Sequence, residues 1–202
     1  MNVLLILFAP VALATFLCVG YIDRPVSLLI HDSLYRNSHW SALTSSLPDI
    51  LLLLVIIISL PAAVWHFYRR QRSLLDAKTS FLGFIALTLP TAFIFKSLLK
   101  FLFGRVQTRF WLKNQQFYEF HWLHGNPSFN GFPSGHMLVF ATLFAAIGRY
   151  YAGFRPLCYV LLALLALLLV ATNYHFVGDV ISGIYLGLLL ESSMDRFYKR
   201  NI

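Results

Sequence analysis

The sequence predicts an all-α polytopic membrane protein with six transmembrane helices and a short interfacial helix in its first outer loop. Three observations predict this fold: the composition, six separate apolar stretches, and the unequal division of basic residues between the loops. Of 202 residues, 58% are hydrophobic and 12% are charged, whereas a typical soluble domain is about a quarter charged. So little polar surface excludes a soluble globular domain, a disordered chain and a disulfide scaffold.

Each apolar stretch is close to the roughly 20 residues that cross a bilayer as a helix. Pro61 is expected to kink the second stretch, and Pro90 interrupts the third. Six spans with short connections use the whole chain, so we expect a single membrane-embedded domain over residues 1–202. The predicted spans are residues 3–20, 50–67, 80–103, 135–151, 157–172 and 177–190.

The segment between the first two spans has the pattern of a short amphipathic helix. Asp23 is expected to be its N-cap, and Pro25 suits a first helical turn. A helix of this kind lies in the membrane interface. Apolar residues recur there at helical spacing, at Val26, Leu29, Ile30 and Leu34.

The basic residues predict the orientation of the spans. The formal net charge is +8, which in a soluble protein would point to nucleic acid. In a membrane protein, however, Lys and Arg mark the cytoplasmic loops, so no nucleic-acid partner is predicted. Both termini are then expected in the cytoplasm, and a bacterial inner membrane fits this layout. The basic residues of that side are Arg69, Arg70, Arg72, Lys78, Arg149, Arg155, Arg196, Lys199 and Arg200.

Polar residues of three segments are expected to meet at the opposite, outer face. His136 opens the fourth span, and His175 follows 39 residues later, which is two membrane crossings. The long connection over residues 104–133 lies on the same side, and a loop of that length is more often functional than idle. Basic residues near the end of the third span and in this loop are Lys96, Lys100, Arg105, Arg109 and Lys113.

These residue types fit the transfer of a phosphoryl group. Ser134 and Gly135 precede an apolar helix, whose N-terminal amides form an anion site. Asp179 lies four residues after His175, so it can orient the imidazole for nucleophilic attack. His136 can protonate a leaving oxygen. Lysine and arginine side chains would neutralise the oxygens of the transferred group.

At these residues the chain resembles the type 2 phosphatidic acid phosphatase superfamily of integral membrane lipid phosphatases. The resemblance lies in FPSGH at Phe132–His136, YHFVGD at Tyr174–Asp179 and KFLFGR at Lys100–Arg105. It implies that His175 is the nucleophile of a phosphohistidine intermediate, with Asp179 as its orienting partner and His136 as the general acid. It also implies that Lys100, Arg105, Ser134 and Gly135 bind phosphate, with Lys96 and Arg109 as further candidates, and that no metal or other cofactor takes part.

The chain departs from the family pattern at two arginine positions. The first motif has an Arg-Pro pair seven residues after its lysine, where this chain has Gln107-Thr108, and the third has an arginine at the position of Leu169. Arg105 and Arg109 are the nearest substitutes, and the sequence leaves open which of them serves.

The resulting hypothesis is a phosphatase acting on a phosphorylated or pyrophosphorylated lipid: phosphatidic acid, phosphatidylglycerol phosphate, undecaprenyl pyrophosphate or a lipid A phosphate. A lipid-to-lipid phosphotransferase and a non-catalytic lipid-phosphate binder or flippase remain as alternatives. Glu119, His121 and His124 could hold zinc if their segment were helical, although an interfacial belt of the loop aromatics is favoured. The sequence makes no prediction of oligomeric state.

Overall fold

The computed structural model describes residues 3–34, 47–72 and 76–201. The regular secondary structure of the described residues is helical apart from one isolated antiparallel bridge, between Arg105 and Phe120, so the all-α class is confirmed. The principal helices are α1 (Phe8–Leu17), α2 (Asp23–Leu34), α3 (Leu47–Gln71), α4 (Ala77–Phe103), α5 (Thr108–Lys113), α6 (Gly135–Tyr150), α7 (Arg155–Ala171) and α8 (Val177–Asn201).

Four helical stretches among the described residues are long and apolar enough to cross a membrane. They are Leu4–Leu34, Ala77–Phe103, Ala152–Ala171 and Val177–Arg200. The other two predicted spans, residues 50–67 and 135–151, lie almost entirely within α3 and α6. The chain is therefore an all-helical, polytopic integral membrane protein.

The helix predicted after the first span is present, but it does not begin as predicted. A π-helical turn, Cys18–Ile22, joins α1 to α2 without a break. Asp23 has helical backbone angles, φ −59° and ψ −48°, so it is not an N-cap. Its side chain is buried instead, and its partners belong to the candidate site described below.

Helix α6 is the centre of the bundle, and α4, α7 and α8 pack around it. Two glycines of α8 allow a close approach to α6. A Cβ atom at Gly187 would lie 2.4 Å from the carbonyl oxygen of Leu138, and one at Gly183 would lie 2.6 Å from that of Ser134. The start of α8 is thereby held beside the N-terminus of α6, which brings the two predicted histidine segments together.

Helix α8 is longer than the span predicted from its apolar residues. Its polar end stays helical because carboxylates there are paired with cations, both across to α6 and along α8. Arg149 forms two hydrogen bonds to Glu191, of 2.5 and 2.7 Å, and Lys199 donates to Asp195 over 2.9 Å. Apolarity alone therefore underestimated the length of this helix.

The loop between α4 and α6 is folded onto the bundle. Gly104 ends α4 at φ +53°, and a side chain there would collide with the His121 carbonyl, whose oxygen would lie 1.8 Å from the added Cβ. Trp111 is buried against Phe176, with ring centroids 5.6 Å apart, whereas Trp122 is exposed. The predicted interfacial belt thus describes only part of the loop aromatics, since others form a small core over the segment between α7 and α8.

Candidate active site

A polar pocket of about 230 Å³ lies where the end of α4, the N-terminus of α6 and the segment between α7 and α8 meet. It contains most of the residues that the sequence singled out, together with two amides from the loop. Its lining residues are Leu52, Lys96, Lys100, Gln107, Asn130, Gly135, His136, Tyr174 and His175.

The two lysines lie against the N-terminus of α6. Lys96 and Lys100 share one face of α4 because they are four residues apart. A Cβ atom at Gly135 would lie 3.0 Å from Cδ of Lys96 and 3.3 Å from Cε of Lys100. Glycine at this position lets both side chains lie close to the backbone of the first helical turn, whose amides lack intrahelical partners. Positive charge and backbone donors thus lie at the same side of the pocket.

Both histidines face the pocket and lie close to each other. The ring centroids of His136 and His175 are 5.8 Å apart. Tyr174 packs edge-on against each ring, with centroid distances of 5.1 Å to His136 and 5.4 Å to His175. The tyrosine therefore restricts the orientation of both imidazoles.

Asp179 lies behind His175 as the spacing predicts. Its Oδ2 atom is 3.6 Å from Nδ1 of His175, which is within ion-pair range but longer than a hydrogen bond. The same oxygen accepts a hydrogen bond of 3.1 Å from the amide of Phe176. With Nδ1 facing the carboxylate, Nε2 is the nitrogen of His175 that remains for the pocket.

Burial lowers the pKa of His175 from its ordinary value of 6.5. The negative charge of Asp179 opposes this shift, and the positive charge of Lys100 adds to it. Burial outweighs the carboxylate, so His175 is neutral near pH 7 and carries a lone pair for nucleophilic attack.

Arg105 has a different environment from the one predicted for a phosphate ligand. It is fully buried and is not among the residues that line the pocket. Its Nη1 donates to Oδ1 of Asp179 over 2.5 Å, and its Nη2 donates to Oδ2 of Asp23 over 2.7 Å. Burial lowers the pKa of this guanidinium, but the charges of Asp179 and Asp23 outweigh that effect and raise it. Arg105 therefore stays charged between two carboxylates.

Arg109 and Ser134 lie next to the pocket rather than in its lining. The guanidinium of Arg109 is 5.0 Å from the ring centroid of Tyr174, and it donates to the carbonyl of Thr172 over 3.0 Å. Ser134 is the N-cap of α6, where its Oγ accepts from the amide of Met137 over 3.4 Å. Of the two substitute arginines, Arg109 is thus the one beside the pocket.

Sequence reasoning missed three residues of this region. Gln107 and Asn130 line the pocket and are joined by a hydrogen bond of 2.6 Å from Nε2 to Oδ1. The sequence offered one signal, since Gln107 stands in the register of the missing family arginine. Asp23 was expected only to cap a helix, and its distance along the chain gave no sign of its pairing with Arg105. Leu169, in the register of the other missing arginine, is buried in the apolar core.

The loop residues considered for zinc are packed differently from a metal site. The rings of His121 and His124 are 5.9 Å apart and both contact Phe129, at centroid distances of 4.4 and 5.0 Å. Within the described ranges, no three His, Cys, Asp or Glu side chains are grouped as metal ligands would be.

Comparison with known proteins gives a family match and a similar fold. The family model of the PAP2 superfamily matches residues 79–202. The fold is similar to the crystal structure of a transmembrane PAP2-type phosphatidylglycerolphosphate phosphatase from Bacillus subtilis, with a TM-score of 0.56, 19% sequence identity and 96% of each chain covered. A comparison with curated protein sequences gives no match.

The environment of His175 predicts the direction of its titration. We expect its pKa below 6.5 in the wild-type protein, and lower still in Asp179→Asn, because the carboxylate opposes the effect of burial. Histidine ¹³C NMR in detergent micelles measures this, with the His175 signal assigned by its loss in His175→Gln. Asp32→Asn, which removes an exposed carboxylate of α2, should leave that signal unchanged. A His175 pKa at or above 6.5, or no change in Asp179→Asn, would contradict the account.

Proposed function

The chain belongs to the PAP2 superfamily, and from this we propose that it is a membrane phosphatase that hydrolyses a phosphomonoester or pyrophosphate of a lipid. One observation carries the proposal. Two lysines, two histidines and a helix N-terminus converge on a single pocket, and Asp179 lies behind one of the histidines. This set supplies charge neutralisation, a nucleophile and a second proton-transfer group at one place.

In the first step, the lone pair on Nε2 of His175 attacks the phosphorus atom of the lipid phosphate. The new N–P bond forms as the P–O bond to the lipid breaks, and His136, entering the step protonated, gives its proton to the leaving oxygen. The imidazole of His175 then carries positive charge, which the carboxylate of Asp179 stabilises. For a pyrophosphate, the leaving group is the lipid monophosphate.

In the second step, water attacks the phosphorus atom of phosphohistidine. His136, now neutral, takes a proton from the water as the N–P bond breaks. The electron pair of that bond returns to Nε2 of His175, and inorganic phosphate leaves the pocket. Both histidines recover their starting protonation states, so the cycle is balanced with water as its only co-substrate.

Binding of the phosphoryl group is assigned to the cations and amides around the pocket. Lys96 and Lys100 would neutralise two of its oxygens, and Gly135 leaves room for the group to approach the first-turn amides of α6. Arg109 lies beside Tyr174 and is proposed as a third cation. Ser134 contributes by capping α6, which fixes the direction of those amides. Catalysis by these groups needs no metal ion.

We further propose that the chain crosses the membrane six times, as one domain, with the pocket facing the outside. The nine basic residues at the opposite end of the bundle support this orientation through the positive-inside rule. A bacterial inner membrane with a periplasmic pocket fits the layout. The Bacillus subtilis protein of similar fold is a phosphatidylglycerolphosphate phosphatase, which makes phosphatidylglycerol phosphate the first lipid to test.

Replacing His175 by alanine should abolish activity while the protein still folds. We expect the release of phosphate from phosphatidylglycerol phosphate to fall by about 1,000-fold or more, since the nucleophile is lost. His124→Ala is the matched control, because this loop histidine lies outside the pocket lining, and it should keep wild-type activity. Full activity in His175→Ala would contradict the mechanism. Loss of activity in His124→Ala together with inhibition by a chelator would support the loop metal site instead.

A panel of labelled lipids separates hydrolysis from the alternative functions. We expect free phosphate from at least one of phosphatidylglycerol phosphate, phosphatidic acid, undecaprenyl pyrophosphate and lipid A phosphate. Release should be insensitive to chelator and inhibited by vanadate, which mimics the transferring phosphoryl group. A second labelled lipid in place of free phosphate would indicate a phosphotransferase. Lipid movement across a vesicle without any phosphate release, persisting in His175→Ala, would indicate a flippase.

A further inference from the structure

We propose that Asp23, in the N-terminal part of the chain, is a positioning residue for His175 that acts through Arg105 and Asp179. Asp23 lies outside residues 79–202, which the family model matches, and it does not line the pocket. The inference rests on the proposed function, because it concerns the nucleophile of that reaction. It assigns the N-terminal helices a part in the chemistry of the site.

The contacts between these four side chains are continuous. Oδ2 of Asp23 is 2.7 Å from Nη2 of Arg105, and Nη1 of Arg105 is 2.5 Å from Oδ1 of Asp179. Oδ2 of Asp179 is in turn 3.6 Å from Nδ1 of His175. No member of this series is more than 4% exposed, so water does not screen the charges from one another.

The charges give the series a function that depends on Asp23. Two carboxylates and one guanidinium leave one net negative charge behind His175, which matches the positive charge that the imidazole gains in the reaction. Without Asp23, the guanidinium would be balanced by Asp179 alone and the net charge would be zero. Asp179 would then stabilise the charged imidazole less well.

Hydrogen bonds also connect α2 to both sides of the His175 segment. Oδ1 of Asp23 accepts from the amide of Gly178 over 2.9 Å, in the first turn of α8. Ser27, four residues further along α2, donates from its hydroxyl to Oδ1 of Asn173 over 2.9 Å. The segment with His175 is therefore attached to α2 at a point before the histidine and at a point after it.

The aromatic groups around Arg105 keep its position fixed. Its guanidinium lies 4.6 Å from the ring centroid of Phe176, and Nη2 also donates to the hydroxyl of Tyr118 over 3.0 Å. Burial raises the pKa of Tyr118 to about 12, so the phenol stays neutral and donates to the carbonyl of Val19 over 2.7 Å. These contacts hold the guanidinium of Arg105 in the orientation in which it pairs with both carboxylates.

The charge of His175 depends on groups from every element packed around it, and a test of Asp23 must leave those groups unchanged. Asp23→Asn suits this purpose because the amide keeps the shape of the side chain and an acceptor for the Gly178 amide. The groups that face His175 are Asp179 of α8, Lys100 of α4, His136 of α6, the carbonyl of Gly131 in the loop, and the neighbouring Tyr174.

The test compares Asp23→Asn with Glu191→Gln in the 202-residue chain in detergent, using phosphatidylglycerol phosphate in mixed micelles. Glu191 is a matched control, because it is another buried carboxylate paired with an arginine, twelve residues after Asp179 in α8. In Asp23→Asn we expect kcat to fall roughly tenfold with KM unchanged. The acidic limb of the kcat/KM profile should move down by about half a pH unit, because His175 becomes harder to protonate. Glu191→Gln should leave kcat, KM and the acidic limb unchanged, although we expect it to lower Tm about as much as Asp23→Asn does.

The double variant Asp23→Asn with Arg105→Gln provides a rescue test. Removing one negative and one positive charge restores one net negative charge behind His175, so the acidic limb should return toward its wild-type position. If Asp23→Asn acted only by disturbing the structure, the second substitution would disturb it further, and the acidic limb would not return toward its wild-type position. If the double variant does not fold, the comparison of Asp23→Asn with Glu191→Gln decides the question.

The outcomes separate this inference from the proposed function. A wild-type protein that releases no phosphate from any lipid of the panel would overturn both. An active wild type in which Asp23→Asn keeps its kcat and acidic limb, or in which Glu191→Gln shifts them equally, would overturn the role of Asp23 and leave the phosphatase proposal standing.

Discussion

The buried guanidinium of Arg105 is the interaction on which the arrangement of the site depends. It joins Asp23 of the N-terminal helices to Asp179 of α8, and its own backbone lies in the loop between α4 and α6. Three parts of the chain that are remote in sequence thus contact one another through the guanidinium of Arg105. Desolvating these groups is costly, and removal of one partner from a buried pair typically destabilises a protein by about 3–5 kcal/mol. The loop that supplies Gln107 and Asn130 to the pocket is therefore held in place against α2 and α8.

The charged residues of the described chain divide between the two ends of the bundle. At one end, Lys96 and Lys100 lie beside a helix N-terminus, where they favour an anion. At the other, Arg149 is paired with Glu191 and Asp195, so its charge is balanced within the protein. The central helix α6 connects the two ends. This division explains how a chain with so few charged residues can combine a stable apolar bundle with an electropositive pocket.

The sequence predicted the parts of the site that depend on local spacing. Lys96 and Lys100 share a helix face, Asp179 lies one turn after His175, and the two helices α6 and α7 return the chain so that His136 and His175 lie close together. Contacts that depend on the path of the loop could not be predicted. Neither the pairing of Arg105 with Asp23 nor the place of Gln107 in the pocket follows from periodicity, because both require the folded course of residues 104–133. The length of α8 was also underestimated, since ion pairs rather than apolar residues extend it.

The claim that His175 carries the phosphoryl group is tested most directly by trapping the covalent intermediate. The enzyme would be mixed with ³²P-labelled phosphatidylglycerol phosphate and quenched within milliseconds in alkaline denaturant, since phosphohistidine is stable in base and hydrolyses in acid. The account predicts an acid-labile label on the protein that peptide mass spectrometry assigns to His175. A label on any other residue, or phosphate release with no covalent species at any time point, would contradict it.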